Sequence, residues 1–435
     1  MMHLSEIQAR IRGAELLRRT GRLTRIMPSW LESDGPDVPI GSLCEIALAG
    51  EPALAEVVRI DKRGVALMPL TACGGATLGA PVRARSARPG FPVGDQFAGR
   101  IVDAFGNPMD GGAPIVSHAL LAEVAPVPMH DRLSPHTPAW TGIRLIDALL
   151  PIGKGQRLGV FAASGVGKTS LVGQLARQID CDAVILCLVG ERGREIDALW
   201  SGLGDDAKAR ATIVASTSDQ PAAVRIRATF QALALATHWR SQGRHVLLIV
   251  DSVTRFATAL REFGLAAGEP PTIRAYPPSV FSVLPRIVEQ CGPVAGGGAI
   301  TAIMTVLSET DDIDDPVCEV MKSLLDGHLM LSRDVAARGE YPAIDPLRSV
   351  SRCASDIAER KDRDLARTAL AALARFESAR MLVESGLYTA GSDAEIDRAV
   401  ALVPRLRTFM TQDRGKMSPP RETRAALEAA LGAGQ

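Results

Sequence analysis

The stretch Ala162-Ala163-Ser164-Gly165-Val166-Gly167-Lys168-Thr169 decides the fold of the central part of this chain. It follows an apolar run at 158–161 and precedes an amphipathic run at 170–179. A strand, a glycine-rich turn and a helix in this order form the context of a phosphate-binding P-loop. The glycines leave backbone N–H groups free to converge on phosphate oxygens, and the helix N-terminus adds the positive end of its dipole.

Two side chains of this stretch carry phosphate chemistry. Lys168 supplies a positive charge for the β- and γ-phosphates, and Thr169 supplies a hydroxyl for Mg²⁺. Ala162 stands where the usual motif begins with glycine, and its methyl group is tolerable if the backbone keeps a negative φ. The predicted nucleotide contacts of the loop are Ser164, Gly165, Val166, Gly167, Lys168, Thr169 and Ser170.

The bulk composition excludes several classes of protein. The 435 residues carry 49 basic and 49 acidic side chains, so no net field attracts nucleic acid or an acidic membrane surface. Aromatic residues are only 4% of the chain, which argues against a base-stacking platform. The seven cysteines are scattered without C-x-x-C spacing and indicate a reducing compartment. No leader or bilayer-spanning run is apparent, so we expect a cytoplasmic protein.

The texture of the sequence predicts a multidomain protein. Closely spaced short apolar runs favour a small β-barrel, and alternating strands and helices favour an α/β domain with a mostly parallel sheet. Beyond residue 355 the pattern favours α-helices, including a run from Ala394 to Val403 that is predicted to stop at Pro404. The predicted segments are an amphipathic helix at 1–20, the β-barrel at 21–92, a connector at 93–140, the P-loop ATPase domain at 141–354 and the α-helical domain at 355–435.

Two apolar strands of the α/β domain end in carboxylates. The strand at 245–250 is followed by Asp251, which is predicted to hold Mg²⁺ through water; a helix-capping aspartate is the structural alternative. The strand at 183–189 leads into Gly190-Glu191-Arg192-Gly193-Arg194-Glu195, where parallel sheets bind ligands. Glu191 is the candidate to polarise the attacking water, and a cluster of surface salt bridges is the alternative.

Together with the P-loop, these stretches and several others in the chain resemble a known family. Residues 141–360 resemble the catalytic subunits of the rotary ATPase superfamily (F-type α/β-like), and more closely the type III protein-export ATPases, most of all the flagellar export ATPase. The matching stretches are Gly142 to Asp147, Gly153 to Thr169, Gly190 to Glu195, Asp251 to Ala257, Gly264 to Pro271, Tyr276 to Phe281, Tyr341 to Pro346 and Ser349 to Arg352. The resemblance implies a RecA-like ATPase domain that hydrolyses ATP with Mg²⁺.

The resemblance also implies residue roles. Lys168 and Thr169 keep the roles argued above, Glu191 matches the family's catalytic glutamate, and Arg192 matches an arginine that faces the γ-phosphate. Non-catalytic relatives lack a glutamate at the Glu191 position, so its presence favours an enzyme over a nucleotide-binding scaffold.

The remaining roles concern the metal, the base and a neighbouring subunit. Asp251 matches the Walker B aspartate and Glu195 a carboxylate near the metal-bound waters. Tyr341 matches the aromatic residue that stacks on adenine. Arg352 matches the arginine finger donated into the neighbour's site, which implies a homo-hexameric ring.

Partners and location are also implied by the resemblance alone. They are a stator-like regulator at the N-terminal helix, a coiled-coil stalk in the pore of the ring, and export substrates with their chaperones at the C-terminal domain. An export gate at the membrane would place the protein peripherally at the cytoplasmic face of the inner membrane. Nucleic acid is not an expected partner.

Two other functions share the same ATPase core. One is the catalytic subunit of a proton-translocating F-type or V-type synthase, which would assemble with a second, homologous subunit. The other is an RNA translocase, which would need exposed aromatic residues on the barrel. The aromatic residues at 21–92 are only Trp30 and Phe91.

Overall fold

The structure is a computed structural model that describes residues 19–86, 90–117, 119–121, 124–163, 165–307 and 315–432. Residues 1–18 of the predicted N-terminal helix lie outside the described residues, as does Ser164 of the P-loop. Thr20, the last residue of that predicted helix, instead begins the first strand.

The first domain is a closed six-stranded barrel with strand order β1-β2-β5-β4-β3-β6. Alternate side chains of its longest strand, Ala53, Ala55 and Val57, point into a small apolar core. This alternation is the pattern expected of strands with one buried face, and it confirms the predicted barrel. The strands are β1 Thr20–Ile26, β2 Leu31–Ser33, β3 Leu43–Ile46, β4 Ala53–Asp61, β5 Gly64–Pro69 and β6 Pro81–Ser86.

The predicted connector contributes to the sheet of the next domain. Strand β7 (Phe91–Val93) pairs with β9 (Ala119–Leu121), while β8 (Arg100–Val102) lies parallel to a strand of the ATPase domain. One edge of the central sheet therefore comes from a segment whose sequence shows no long apolar run.

The central sheet has the strand order β17-β16-β10-β15-β13-β11-β12-β8, with β14 paired to β15. Only β17 and β14 pair antiparallel to their neighbours, which confirms a mostly parallel sheet. Strand β11 is buried on both faces, with alternate side chains in two different apolar cores. The strands are β10 Arg157–Ala162, β11 Ala183–Glu191, β12 Ala211–Thr217, β13 His245–Asp251, β14 Gly292–Pro293, β15 Ala299–Leu307, β16 Gly327–Leu331 and β17 Ile344–Ser351.

Helices cover both faces of this sheet, as the continuous apolar strands require. The described helices of the domain are α1 Arg144–Leu149, α2 Lys168–Gln178, α3 Gly193–Ser201, α4 Asp205–Ala209, α5 Ala222–Ser241, α6 Val253–Ala266, α7 Pro278–Glu289, α8 Pro316–Leu324, α9 Arg333–Ala337 and α10 Ala354–Ile357.

The C-terminal domain is helical, with α11 Arg360–Glu384, α12 Ala394–Met410 and α13 Pro420–Leu431. The predicted stop at Pro404 is wrong, because α12 continues through this proline. Proline removes one backbone hydrogen bond and crowds the preceding turn. Beyond it, however, Leu406 and Phe409 are buried against the rest of the molecule, so packing keeps the helix intact.

Among the helices that the structure describes, none is long and apolar enough to cross a membrane.

Candidate active site

The P-loop has the geometry that its sequence predicts. Strand β10 ends at Ala162, which is buried, so its methyl group packs in the core and not against a phosphate. Gly165 and Gly167 have φ values of 84° and 95°, a region that glycine enters without a Cβ clash. Helix α2 then starts at Lys168, directly after Gly167. The loop thus presents a helix N-terminus at the carboxyl end of the sheet.

The Lys168 ammonium lies between two carboxylates. It is ion-paired with Oδ1 of Asp251 and is 3.9 Å from Oε1 of Glu191. Asp251 is the last residue of β13 and Glu191 the last of β11, so parallel strands deliver both groups to the P-loop edge. The capping alternative for Asp251 fails, because Ser252 caps α6 through its own hydroxyl.

Thr305 holds the Asp251 carboxylate from the other side. Its hydroxyl donates a 2.7 Å hydrogen bond to Oδ1 of Asp251, and both side chains are buried. Strand β15 lies between β10 and β13, which places Thr305 level with the carboxylate. No sequence motif pointed to this residue; two hydroxyl residues interrupt the apolar run at 299–307, Thr301 and Thr305, and only the strand register shows which of them meets the carboxylate.

Glu191 is a buried carboxyl, 8% exposed, and not part of a surface cluster. Burial raises its pKa above the ordinary glutamate value, and the negative charge of Asp251 raises it further. Lys168 and Arg255 oppose that shift, and Nε of Arg255 is 3.3 Å from Oε1 of Glu191. A carboxyl with a raised pKa beside the lysine of a P-loop is suited to orienting and polarising water.

The other predicted residues after β11 are more open. Arg192 is exposed and caps the N-terminus of α3 through its backbone. Glu195 is half-buried in the first turn of that helix, and its charge contributes to the raised pKa of Glu191. Thr169 is exposed and Ser170 half-buried in the first turn of α2.

Tyr341 lies against the P-loop although 174 residues separate it from Gly167. A Cβ at Gly167 would be 3.5 Å from Cε1 of the Tyr341 ring. The guanidinium carbon of Arg414, in the loop between α12 and α13, lies 5.6 Å from the centre of the same ring. No sequence motif pointed to Arg414, whose position depends on how the C-terminal helices pack against the ATPase domain.

Arg352 lies away from all of these groups. Ser351, at the end of β17, pairs with Gly327, the first residue of β16, and the Arg352 N–H donates to the Asp326 carbonyl at 2.9 Å. Because β16 runs parallel to β10, this is the amino end of the parallel strands, whereas the P-loop follows their carboxyl end. The Arg352 side chain is exposed there.

Fold and site together define a P-loop ATPase with a nucleotide-binding domain of the ATP synthase type. Residues 142–351 match the family model of the ATP synthase alpha/beta family, nucleotide-binding domain. Residues 358–429 match that of the T3SS EscN ATPase C-terminal domain.

Individual relatives narrow the class. The chain is 42% identical to the flagellum-specific ATP synthase of Treponema pallidum (strain Nichols), over 94% of this chain and 92% of that one. It is 40% identical to the type 3 secretion system ATPase of Xanthomonas euvesicatoria, over 92% and 91% of the two chains. The assembled ATPase EscN of enteropathogenic E. coli superposes with a TM-score of 0.90 at 35% identity, covering 94% of this chain and 100% of that one.

The chain therefore belongs to the family of flagellar and type III secretion ATPases. The resemblance inferred from the sequence is confirmed, and the protein is an ATP-hydrolysing enzyme of protein export.

Proposed function

We propose that this protein hydrolyses Mg²⁺-ATP at sites shared between neighbouring subunits of a homo-hexameric ring, in support of flagellar or type III protein export. The observation that carries the proposal is the position of Arg352 within its own chain. Arg157, which neighbours Asp326, and Ala162 at the P-loop are five positions apart on β10, a distance of about 16 Å along a strand. An arginine side chain is too short to span this distance, which supports a role for Arg352 at a site on another subunit.

The proposed chemistry is an in-line attack of water on the γ-phosphate. Glu191 orients and polarises the water. Lys168 and Arg192 spread the negative charge that develops on the phosphate oxygens, and the neighbour's Arg352 completes this stabilisation. Backbone N–H groups of residues 164–170 cradle the phosphates, and Tyr341 stacks on the adenine.

The residues beside the P-loop fit Mg²⁺. Lys168 and Thr305 both bind Oδ1 of Asp251, and no hydrogen bond to its Oδ2 occurs among the described residues. Hydroxyl and carboxylate oxygens are the ligands that Mg²⁺ prefers, and it keeps several waters and phosphate oxygens in its shell. Within the described part of the chain no group of three or more His, Cys, Asp or Glu forms a metal cage. We propose that Thr169 ligates the ion directly, while Asp251 and Glu195 contact its waters.

The partners in this proposal follow the relatives. EscN has been solved in complex with its central stalk EscO, and that EscN superposes with a TM-score of 0.85 at 35% identity over 94% of this chain. We propose a coiled-coil stalk in the pore of this ring and a stator-like regulator on residues 1–20. Export substrates and chaperones would meet the C-terminal helices, near an export gate at the cytoplasmic face of the inner membrane.

A mixing experiment tests the shared site. Lys168→Ala subunits lack a working P-loop but keep the finger, and Arg352→Ala subunits lack the finger but keep the P-loop. Each variant alone should hydrolyse ATP at least 100-fold more slowly than wild type, because an arginine finger contributes about 10³–10⁵ in rate. Mixed at concentrations where the wild-type rate no longer rises with protein concentration, the two should recover a substantial fraction of the activity. No recovery, or an Arg352→Ala variant that is fully active alone, would refute the proposal.

A further inference from the structure

We propose that Asp326 and Arg157 are positioning residues for the arginine finger: their ion pair fixes the backbone from which Arg352 reaches the neighbouring site. This inference rests on the shared site proposed above. It concerns two residues to which the sequence motifs assign no role and that touch neither the P-loop nor its carboxylates.

The Asp326 carboxylate is held by three hydrogen bonds from a single residue. Oδ2 accepts from the backbone N–H and from Nε of Arg157, each at 3.0 Å, and Oδ1 accepts from Nη2 at 3.1 Å. The backbone closes the pair, since the Asp326 N–H donates to the Arg157 carbonyl at 2.8 Å. A bidentate guanidinium–carboxylate pair fixes orientation as well as distance. The side chains are 22% and 23% exposed, so water screens the pair only in part.

The Asp326 carbonyl passes this fixed orientation to the finger. It accepts the Arg352 N–H at 2.9 Å, and it also accepts Nε2 of Gln156 at 3.2 Å. Gln156 is fully buried, and its Nε2 lies 3.5 Å from the hydroxyl of Ser351, the residue before the finger. The Arg352 backbone is therefore linked through the Asp326 carbonyl, and the Ser351 side chain through Gln156, to the residues at the start of β10.

The Arg352 side chain is held much less firmly than its backbone. Its Nη2 makes one long hydrogen bond, 3.4 Å, to the carbonyl of Lys322, and the side chain is exposed. An exposed arginine samples many rotamers, so the position of its Cα sets the volume that the guanidinium can reach. A shift of the Asp326 carbonyl would move that volume as a whole.

A second carboxylate extends the support beyond the pair. Glu289, the last residue of α7, binds Nη1 of Arg157 at 3.0 Å and Nη1 of Arg132 at 2.6 Å. The guanidinium of Arg157 is thus held on two sides, by the loop before β16 and by a helix end anchored to the connector. Arg157 is the first residue of β10 and Ala162 the last, so this support lies at the end of the strand remote from the P-loop.

The test places Asp326→Asn in one or the other partner of the mixing experiment. The parent mixture is Lys168→Ala, which donates the finger, with Arg352→Ala, which donates the P-loop site. When the finger donor also carries Asp326→Asn, we expect kcat to fall about 10–100-fold below the parent mixture, because a misplacement of about 1 Å lowers the rate by roughly that factor. KM should stay within about twofold, since the site that binds ATP is unaltered. In the site donor, as Arg352→Ala/Asp326→Asn mixed with Lys168→Ala, kcat should stay within about twofold of the parent mixture. A general structural role would lower both mixtures equally.

Asp110→Asn provides the matched control. Asp110 binds Nε and Nη2 of Arg100 at 2.7 and 2.9 Å, and the two side chains are 17% and 21% exposed. Arg100 is the first residue of β8, at the opposite edge of the sheet from β17, and Asp110 lies in the bend that follows this strand. Placed in either donor, Asp110→Asn should affect the two mixtures equally. Arg157→Lys is the second test variant, because it keeps the charge and removes the bidentate geometry; it should reproduce the asymmetry of Asp326→Asn.

The outcomes separate the two proposals. Suppose that the parent mixture recovers activity. If Asp326→Asn and Arg157→Lys then each give the same kcat in the finger donor as in the site donor, the positioning role is overturned and the shared site stands. A parent mixture without activity overturns the shared site, and the positioning role with it. A loss confined to the finger donor supports both.

Discussion

Replacing Thr305 by valine tests how the Asp251 carboxylate is held. The Thr305 hydroxyl donates to Oδ1 of Asp251 at 2.7 Å, and both side chains are buried. Lys168 is the other donor to this oxygen among the described residues. When ATP binds, we expect Lys168 to turn towards the phosphates. Thr305 is then the donor that still orients the carboxylate.

The magnitude follows from the chemistry of that bond. Valine has nearly the shape of threonine, so the substitution removes a hydroxyl and leaves the core filled. A buried hydrogen bond to a charged group stabilises the folded state by about 1.5–3 kcal/mol. Residues that orient a metal-associated carboxylate usually affect metal affinity by about 10–100-fold. We therefore expect Thr305→Val to lower the free energy of unfolding by about 2 kcal/mol and to raise the Mg²⁺ concentration for half-maximal hydrolysis by at least about 10-fold.

Two assays separate these effects. Urea denaturation measures the free energy of unfolding, and a Mg²⁺ titration of the ATPase rate at fixed ATP measures the metal requirement. Thr229→Val is the control, because Thr229 is also fully buried but, among the described residues, its hydroxyl has one hydrogen-bond partner, the Cys187 thiol, which donates to it at 4.0 Å. It should leave the Mg²⁺ requirement unchanged. If Thr305→Val destabilises the fold while its Mg²⁺ curve overlays that of wild type, the assignment of Asp251 to the metal is refuted.

Three further predictions concern charge and backbone. Arg255→Ala removes a positive charge that lowers the pKa of Glu191, so the pKa of this carboxyl should rise further. Because catalysis needs the carboxylate form, the acidic limb of kcat/KM in a pH–rate profile should move to higher pH. An unmoved limb would contradict the role of Glu191. Lys168→Ala leaves two buried carboxylates without their ammonium and should lower the free energy of unfolding, measured with urea, by about 3 kcal/mol. Adding Asp251→Asn should restore part of this loss, and a double variant no more stable than Lys168→Ala would argue against the coupling. Pro404→Ala restores a backbone N–H donor inside α12 and should raise the free energy of unfolding of the C-terminal domain, measured by thermal denaturation, by about 1–3 kcal/mol. No gain would mean that α12 accommodates the proline without a loss of stability.

Much of the fold could be predicted because burial on two faces leaves a local pattern. Strand β11 is apolar at consecutive positions since helices cover both of its faces. The order of the barrel strands could not be predicted in the same way, because it depends on pairings between distant segments. The same holds for β8, a three-residue edge strand whose partner β12 lies more than 100 residues further on. Pro404 shows the converse, since a local stop signal is overridden by the burial of Leu406 and Phe409.

The residues of the site also differ in how far the local sequence could predict them. The sequence by itself determined the P-loop and the carboxylates at the ends of β11 and β13, because each is set by a few consecutive residues and the conformation they favour. Only the tertiary structure decided that Lys168 lies between those carboxylates, that Thr305 orients one of them, and that Arg352 lies at the opposite end of the parallel strands from its own P-loop. The contacts of Lys168 and Thr305 join residues 23 to 83 positions apart. Strand order and register set them, and these are products of packing over the whole sheet.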